Sequence, residues 1–217
     1  HFCKIKSIVI LIFYYGNSII LKIKTDNKRA IIYRIMDKIF IRSLLPGDEW
    51  SFFRLYTDMD LCLSSGSTPV YSIEDAKRKL NKLMETGESF AIVHTETMKV
   101  IGVISVRKDI HRFNNKAYML GYVLDKDYRG KGLMPRAVRY MMKYLFMNMG
   151  ADIVTATHFP GNNASKRVLE KCGFIYEGTL RREYTRFDGQ ILDSCMYSIT
   201  FEEYQQLIKT VDNKNPK

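Results

Sequence analysis

The chain has 217 residues, of which 46% are hydrophobic and 26% charged, with 12 Phe and 14 Tyr, enough to bury one sizeable core. With only 13 Gly and 5 Pro and no fixed-period repeat, a collagen-like, low-complexity or disordered chain is excluded. The formal charge of +11 suggests a polyanionic partner: nucleic acid, an anionic membrane surface or an acidic ligand.

In chain order, residues 1–35 come first and carry Lys4, Lys6, Lys22, Lys24, Lys28, Arg29 and Arg34 against Asp26 alone, more than half the excess charge. The apolar run Ile8 to Tyr15 is broken by Gly16, Asn17 and Ser18, too short for a spanning helix of about 20 residues. Its basic start resembles a signal peptide, but no small-residue cleavage site follows. Residues 1–35 therefore read as an extension contributing little to function, with Met36 as a natural start. The tail 209–217 adds Lys209, Lys214 and Lys217 against Asp212, which leaves a modest +3 for a single domain over 36–208. Cys3, Cys62, Cys172 and Cys195 form no CxxC and no metal-like spacing with the His residues, which points to reduced thiols, a cytoplasmic protein and no metal.

Lys38 to Arg42 reads as a strand, and Pro46 to Tyr56 as a helix opened by Pro and acidic residues. A Ser/Gly-rich loop from Ser64 to Pro69 precedes a helix capped by Ser72 and running to Met84. Phe90–His94 and Val100–Val106 are β-branched runs joined as a hairpin, and Ala117–Leu124 is a further strand. A helix over Pro135 to Met149 stops at Gly150, a buried strand covers Ile153–Thr157, and a short helix runs from Ser165 to Lys171. Ile175 opens a strand, Asp188-Gly189 turns a hairpin between the segments around Leu180–Arg186 and Ile191–Ile199, and Thr200 to Glu203 is a capping box for a last helix. The order is that of an α/β domain with a mixed sheet, in which the crossover helix makes strands 117–124 and 153–157 parallel neighbours.

The sharpest chemical signal is the turn Arg129-Gly130-Lys131-Gly132 between a strand and a helix start. Helix-start N–H groups lack internal partners, the dipole adds positive potential, and glycines let the backbone curl around an anion such as a pyrophosphate. A solvated turn explains a lone Gly-x-Gly equally well, and neither the P-loop nor the GxGxxG pattern is present, since position 135 is Pro. About 30 residues downstream stand Asn162 and Ser165, then Gly173, Phe174, Glu177 and Gly178, and further on Arg182, Asp193 and Tyr197. Loop and phrase together resemble the GNAT acetyltransferase superfamily, and within it the ribosomal-protein N-acetyltransferase (RimJ/RimL-like) branch, from about Lys38 to Tyr204.

The resemblance implies the GNAT acyl-CoA N-acyltransferase fold: a mostly antiparallel twisted sheet, flanked by helices, whose central parallel pair splays into a V that holds acetyl-CoA. It places the pyrophosphate on the backbone of Arg129, Gly130, Lys131, Gly132, Leu133 and Met134, pantetheine along Val123 and Leu124 and against Asn162, and Arg167 near the phosphates. Ser165 would protonate the departing thiolate, and it is also the expected cap of its helix. The pattern departs from the family at Asp127, usually Gln or Arg; at Leu169, often an acid Tyr; and at Met119, often Glu in the ribosomal enzymes. That leaves His158, at a strand end, as the side-chain candidate for base, with His111 and Tyr122 behind it and Tyr122 also lining the acceptor pocket.

Deprotonating a lysine of pKa about 10.4 costs about 3 kcal/mol more than deprotonating an α-amine of pKa about 8, so a site without a strong base favours an α-amine. The expected activity is acetyl transfer from acetyl-CoA to a protein N-terminal α-amine or a small-molecule amine by direct attack in a ternary complex. The protein would be a monomer or homodimer with no metal, no nucleic acid and no membrane insertion. The alternatives are a CoA-sensing module without turnover and a basic nucleic-acid-associated protein.

Overall fold

A computed structural model describes residues 9–15, 18–24, 31–34, 38–113 and 116–214. Strands β1 (Val9–Tyr15), β2 (Ser18–Lys24) and β3 (Ile31–Arg34) make a small antiparallel sheet in the segment read as an extension. The main domain then runs β4 (Ile39–Ser43), α1 (Glu49–Tyr56), α2 (Met59–Ser65), α3 (Ile73–Thr86), β5 (Ser89–His94), β6 (Val100–Lys108) and β7 (Ala117–Leu124). A single 3-10 turn over Lys126–Tyr128 leads to α4 (Leu133–Asn148), β8 (Ile153–His158), α5 (Asn163–Lys171), β9 (Ile175–Thr185), β10 (Ile191–Thr200) and α6 (Phe201–Lys214). Its seven strands lie in the order β4-β5-β6-β7-β8-β10-β9, antiparallel throughout except for the parallel pair β7 and β8.

The β-branched runs of β5 and β6 are buried on both faces, so helices must cover both. On one face α4, α5 and α6 bury Val138, Met142, Leu145 and Leu169 against Ile104, Leu120 and Val154. On the other, α1 to α3 bury Phe52, Leu55, Leu61 and Leu80 against Ala91 and Val103. Each fully buried side chain of this size contributes about 1.5–3 kcal/mol, so α4 with Met141, Met142 and Leu145 is anchored mainly by its inner stripe. The Thr200/Glu203 box is reciprocal: Thr200 N donates to Glu203 Oε2 (2.8 Å) and Glu203 N to Thr200 Oγ1 (3.3 Å).

The feature that positions a site is the parallel pair. Its pairing runs from Ala117↔Ile153 to Leu120↔Ala156 and stops, although β7 continues to Leu124 and β8 to His158. Beyond Leu120, β7 keeps its β6 neighbour as far as Gly102↔Leu124, so only the edge facing β8 opens. Gly102 allows this close approach, since a Cβ there would lie 2.5 Å from the Val123 carbonyl oxygen.

Three local expectations are revised. Ser64 and Ser65, expected in the loop, instead close a helix over Met59–Ser65, because Asp58 caps it at Leu61 N (3.2 Å) and Gly66, at φ 73°, ends it. The crossover helix begins at Leu133, two residues before Pro135, on Gly132 at φ 71°. The cap of α5 is Asn162 and not Ser165: Asn162 Oδ1 accepts from Ser165 N at 3.0 Å, which puts Ser165 inside the first turn with its hydroxyl free for another partner.

Candidate active site

The cleft opens where β7 and β8 part. Its floor is the unpaired edge of β7, its far wall is α5, and its mouth is the glycine turn. Asp125 caps the 3-10 turn through Asp127 N (3.0 Å), and Arg54 of α1 bridges Asp125 and Asp127 at 2.6 Å each. The acid at 127, unusual beside an anion site, is thus engaged with α1. Gly130 and Gly132 take φ 75° and 71°, conformations that suit glycine, and α4 starts with no side-chain cap, leaving its first N–H groups open.

Val123, Leu124, Arg129, Gly130, Gly132, Leu133, Met134, Asn162, Ser165 and Arg167 all line this one cleft of about 270 Å³, together with Lys171, which the motif did not single out. Lys131 faces elsewhere, its ammonium 5.3 Å from the Tyr128 ring centre. Arg129 turns back on the strand, donating from Nε to Leu124 O (3.0 Å), with Asp58 3.8 Å from its other end. Asn162 is held at both ends of its amide, accepting from Ser165 N and donating to Ser64 O (3.0 Å), so it ties α5 to α2 across the cleft. Beneath, Cys172 Sγ lies 3.5 Å from Pro135 O and links α5 to α4; burial pushes this thiol up to about 11, which keeps it protonated and inert.

A second cavity of about 360 Å³ lies on the other side of the β7 end, lined by hydroxyls from Ser64, Ser65, Ser105, Thr157, Tyr184 and Ser194 beside apolar Leu83, Val103 and Phe159, with Glu88, Glu183, Lys79 and Arg107 as its charged groups. Tyr122 and Ser165 line both spaces, and their hydroxyls are 2.9 Å apart. Tyr122 projects from the opened edge of β7 to the first turn of α5, so the V itself brings the pair together. Burial pushes the Tyr122 phenol well above its ordinary value, against a smaller opposing effect of the Ser165 bond, so it stays protonated.

His158 is also on the wall of the second cavity, but its ring packs on Tyr197 with centroids 5.3 Å apart. Its Nδ1 is 2.9 Å from Phe159 O, and its Nε2 is enclosed with no hydrogen-bond partner, so it is closed to a ligand in the cavity in this conformation. The residue the motif reading passed over is Glu183. Its carboxylate accepts from Ser194 Oγ (2.7 Å) and lies 3.2 Å from His111 Nε2. His111 is held in turn by Asp109, fully buried, which accepts from His111 N (2.9 Å), Thr155 Oγ1 (2.9 Å) and Arg112 (3.2 Å). Arg112 continues to Glu177 of β9, whose carboxylate is held below its ordinary value: burial pushes it up, and the bonds from Arg112 and Ser198 prevail.

Glu183 escaped notice because strand alternation fails around it. Between Leu180↔Ser194 and Tyr184↔Leu192, three residues of β9 face one of β10, and Arg182 sits in the left-handed region at φ 54° with its N–H on Asp193 (2.8 Å). This bulge re-aims Glu183 and Tyr184. A period-two reading of the hairpin cannot anticipate it.

Among known proteins, the model of the acetyltransferase (GNAT) domain family matches residues 38–175. A probable N-acetyltransferase of Bacillus subtilis is 33% identical over 117 residues, 52% of this chain and 64% of that protein. The crystal structure of a GNAT-family acetyltransferase from Bacillus anthracis superposes with a TM-score of 0.70 at 25% identity, covering 78% of this chain and 99% of the other. That of a ribosomal-protein-S5-alanine acetyltransferase from Vibrio fischeri gives 0.65 at 25% identity, over 79% and 98%.

Proposed function

The chain belongs to the GNAT acetyltransferase family, and on that premise we propose that it moves the acetyl group of acetyl-CoA directly onto a primary amine, a protein N-terminal α-amine or a small-molecule amine, in a ternary complex. The observation that carries this reading is the Tyr122–Ser165 hydroxyl pair, which forms the common wall of a glycine-mouthed cleft and a hydroxyl-lined cavity. The first space suits a nucleotide thioester and the second an amine, with the reacting carbon where they meet.

In this account the open N–H groups from Gly130 to Met134 hold the pyrophosphate, and Arg129, Arg167 and Lys171 add positive charge at the mouth. The unpaired edge of Val123 and Leu124 lies along pantetheine as an added strand would. Asn162 acts by fixing α5 against α2, which sets Ser165 at the sulfur. The amine nitrogen attacks the thioester carbon, the C–S bond breaks, and the sulfur leaves with a proton from Ser165, resupplied by the neutral Tyr122 phenol. Bringing two substrates together accounts for much of the acceleration, since well-oriented acyl transfer gains about 7–11 kcal/mol from positioning.

Incubating the chain with acetyl-CoA, a panel of peptides with free N-termini and a panel of small amines should release CoA and give acetylated product. Absence of acetyl-CoA binding by calorimetry would reject the reading outright.

A further inference from the structure

We infer that the acceptor carries an anionic group a few bonds from its amine, which Arg107 receives with the charge of Lys79 behind it; this rests on the acetyl-transfer reading above and names the class of acceptor. The four charged groups of the cavity cancel formally, so its preference follows from where each stands and what already engages it. Glu183, on β9, accepts from Ser194 Oγ (2.7 Å) and lies 3.2 Å from His111 Nε2. Glu88 is exposed just before β5, where water screens it. Arg107 of β6 and Lys79 of α3 differ: among the described residues, no carboxylate pairs with either cation.

Arg107 presents a planar fork of N–H donors, and what meets it is Met119 Sδ, a weak thioether acceptor 3.6 Å from Nη2. That fork matches a carboxylate or phosphoryl group with two parallel bonds. Lys79 Nζ gives one donor to Thr68 O (2.8 Å) and stands 4.2 Å from the centre of the buried Tyr56 ring. Burial holds its ammonium below the ordinary lysine value, the mark of a cation part-way out of water without a counter-ion. An anion in the cavity supplies the partner that both cations lack, whereas a diamine brings a second positive charge towards them.

Strand register sets the distance. Ser105 of β6 pairs with Gly121, the first β7 residue beyond the last β8 pair, and Arg107 lies two residues further along β6, opposite Met119. Strand alternation puts Ser105 and Arg107 on the same face, about 7 Å apart. The anion site and the opening of the V therefore share one face of β6 with a short gap between them, and apolar Leu83, Val103 and Phe159 in the same lining suit an aliphatic spacer. Arg107 is exposed, so water screens its attraction, and one charge-assisted contact there should give a preference of about tenfold.

The test uses the full chain, acetyl-CoA, 1,4-diaminobutane and two pairs of acceptors that differ by one charge: 4-aminobutyrate with 4-aminobutanamide, and peptides beginning Ala-Glu and Ala-Gln. At low salt the anionic member of at least one pair should have a kcat/KM about tenfold above its neutral partner and above the diamine. The first pair reports a small-molecule acceptor, the second a protein N-terminus. The advantage should vanish in Arg107→Gln, survive in part in Arg107→Lys and fall with added salt. Acetyl-CoA affinity of both variants should stay within about twofold of wild type by calorimetry, which reports an intact cleft. Members within about twofold of each other in both pairs, a preference for the diamine, or an anionic advantage undiminished in Arg107→Gln overturns the anion-receiving role while leaving acetyl transfer standing. Calorimetry of the same amines against the CoA-saturated chain separates the two readings. Binding of an anionic amine that depends on Arg107, with no probe acetylated, keeps the anion site and contradicts acetyl transfer; no acetylation and no such binding contradicts both.

Discussion

The two spaces that meet at Tyr122 and Ser165 are built from different materials. The cleft is made largely of backbone: an unpaired strand edge, a turn with two left-handed glycines and an uncapped helix start, all between residues 121 and 134 and facing α5. The cavity is made of side chains gathered from α1, α2, α3, β5, β6, β7, β8, α5, β9 and β10. A backbone site recognises what all its ligands share, in the proposed function a pyrophosphate, and tolerates side-chain change. A side-chain site can be re-specified one residue at a time, which is why a fold of this kind serves different amines.

The comparison is sharpest at the shared wall. Replacing both hydroxyls, Tyr122→Phe with Ser165→Ala, should lower kcat by about 100-fold, the scale of a lost proton donor, with acetyl-CoA affinity within about twofold. Steady-state rates and calorimetry on the same preparation separate the two quantities. An equal loss in both would mean that the pair belongs to the cleft alone.

A backbone site should fail through conformation. Gly132→Val forces a β-branched residue into the left-handed region at the start of α4, costing about 1–2 kcal/mol, and should weaken acetyl-CoA binding about tenfold in calorimetry without a new charge or lost side-chain contact. Asn162→Ala tests the link between the spaces. Loss of a helix cap costs about 1 kcal/mol, expected as a drop of about 2–4 °C in Tm for a chain of this size. It should also impair kcat more than acetyl-CoA affinity, because the amide is committed to Ser165 N and Ser64 O.

The smallest effect concerns the brace behind the cavity. Glu177 is held below its unfolded value of 4.5, so its contribution to stability is whole above about pH 4.5 and fades as pH falls through the lower folded-state value. Melting curves of Glu177→Gln against pH should lack this part of the acid loss. An unchanged acid limb would place the sensitivity elsewhere.

The same contrast explains how much was legible in the sequence. The strand Ala117–Leu124, the glycine turn and the helix after it are local patterns, and each appears within a residue or two of its reading. The pairing of loop and Asn162/Ser165 phrase carried the fold family. Ser165 itself was misplaced as a cap because Ser and Asn are near-equal caps, and only the hydrogen bond decides between them. His158 reads well as a strand-end imidazole, but its enclosure by Tyr197 depends on residues far along the chain. Glu183 depends on a bulge, and nothing in the local spacing announces the two extra residues that turn it inward. The helix Met59–Ser65 was hidden by a serine-rich end whose stop, Gly66, was counted as loop.

Direct transfer across the Tyr122–Ser165 wall is tested by two-substrate initial-rate kinetics with acetyl-CoA and an accepted amine, with mass spectrometry of both enzyme and product. Direct transfer gives intersecting lines, one acetyl group on the amine nitrogen and an enzyme that never carries acetyl. Parallel lines with an acetylated enzyme would contradict it.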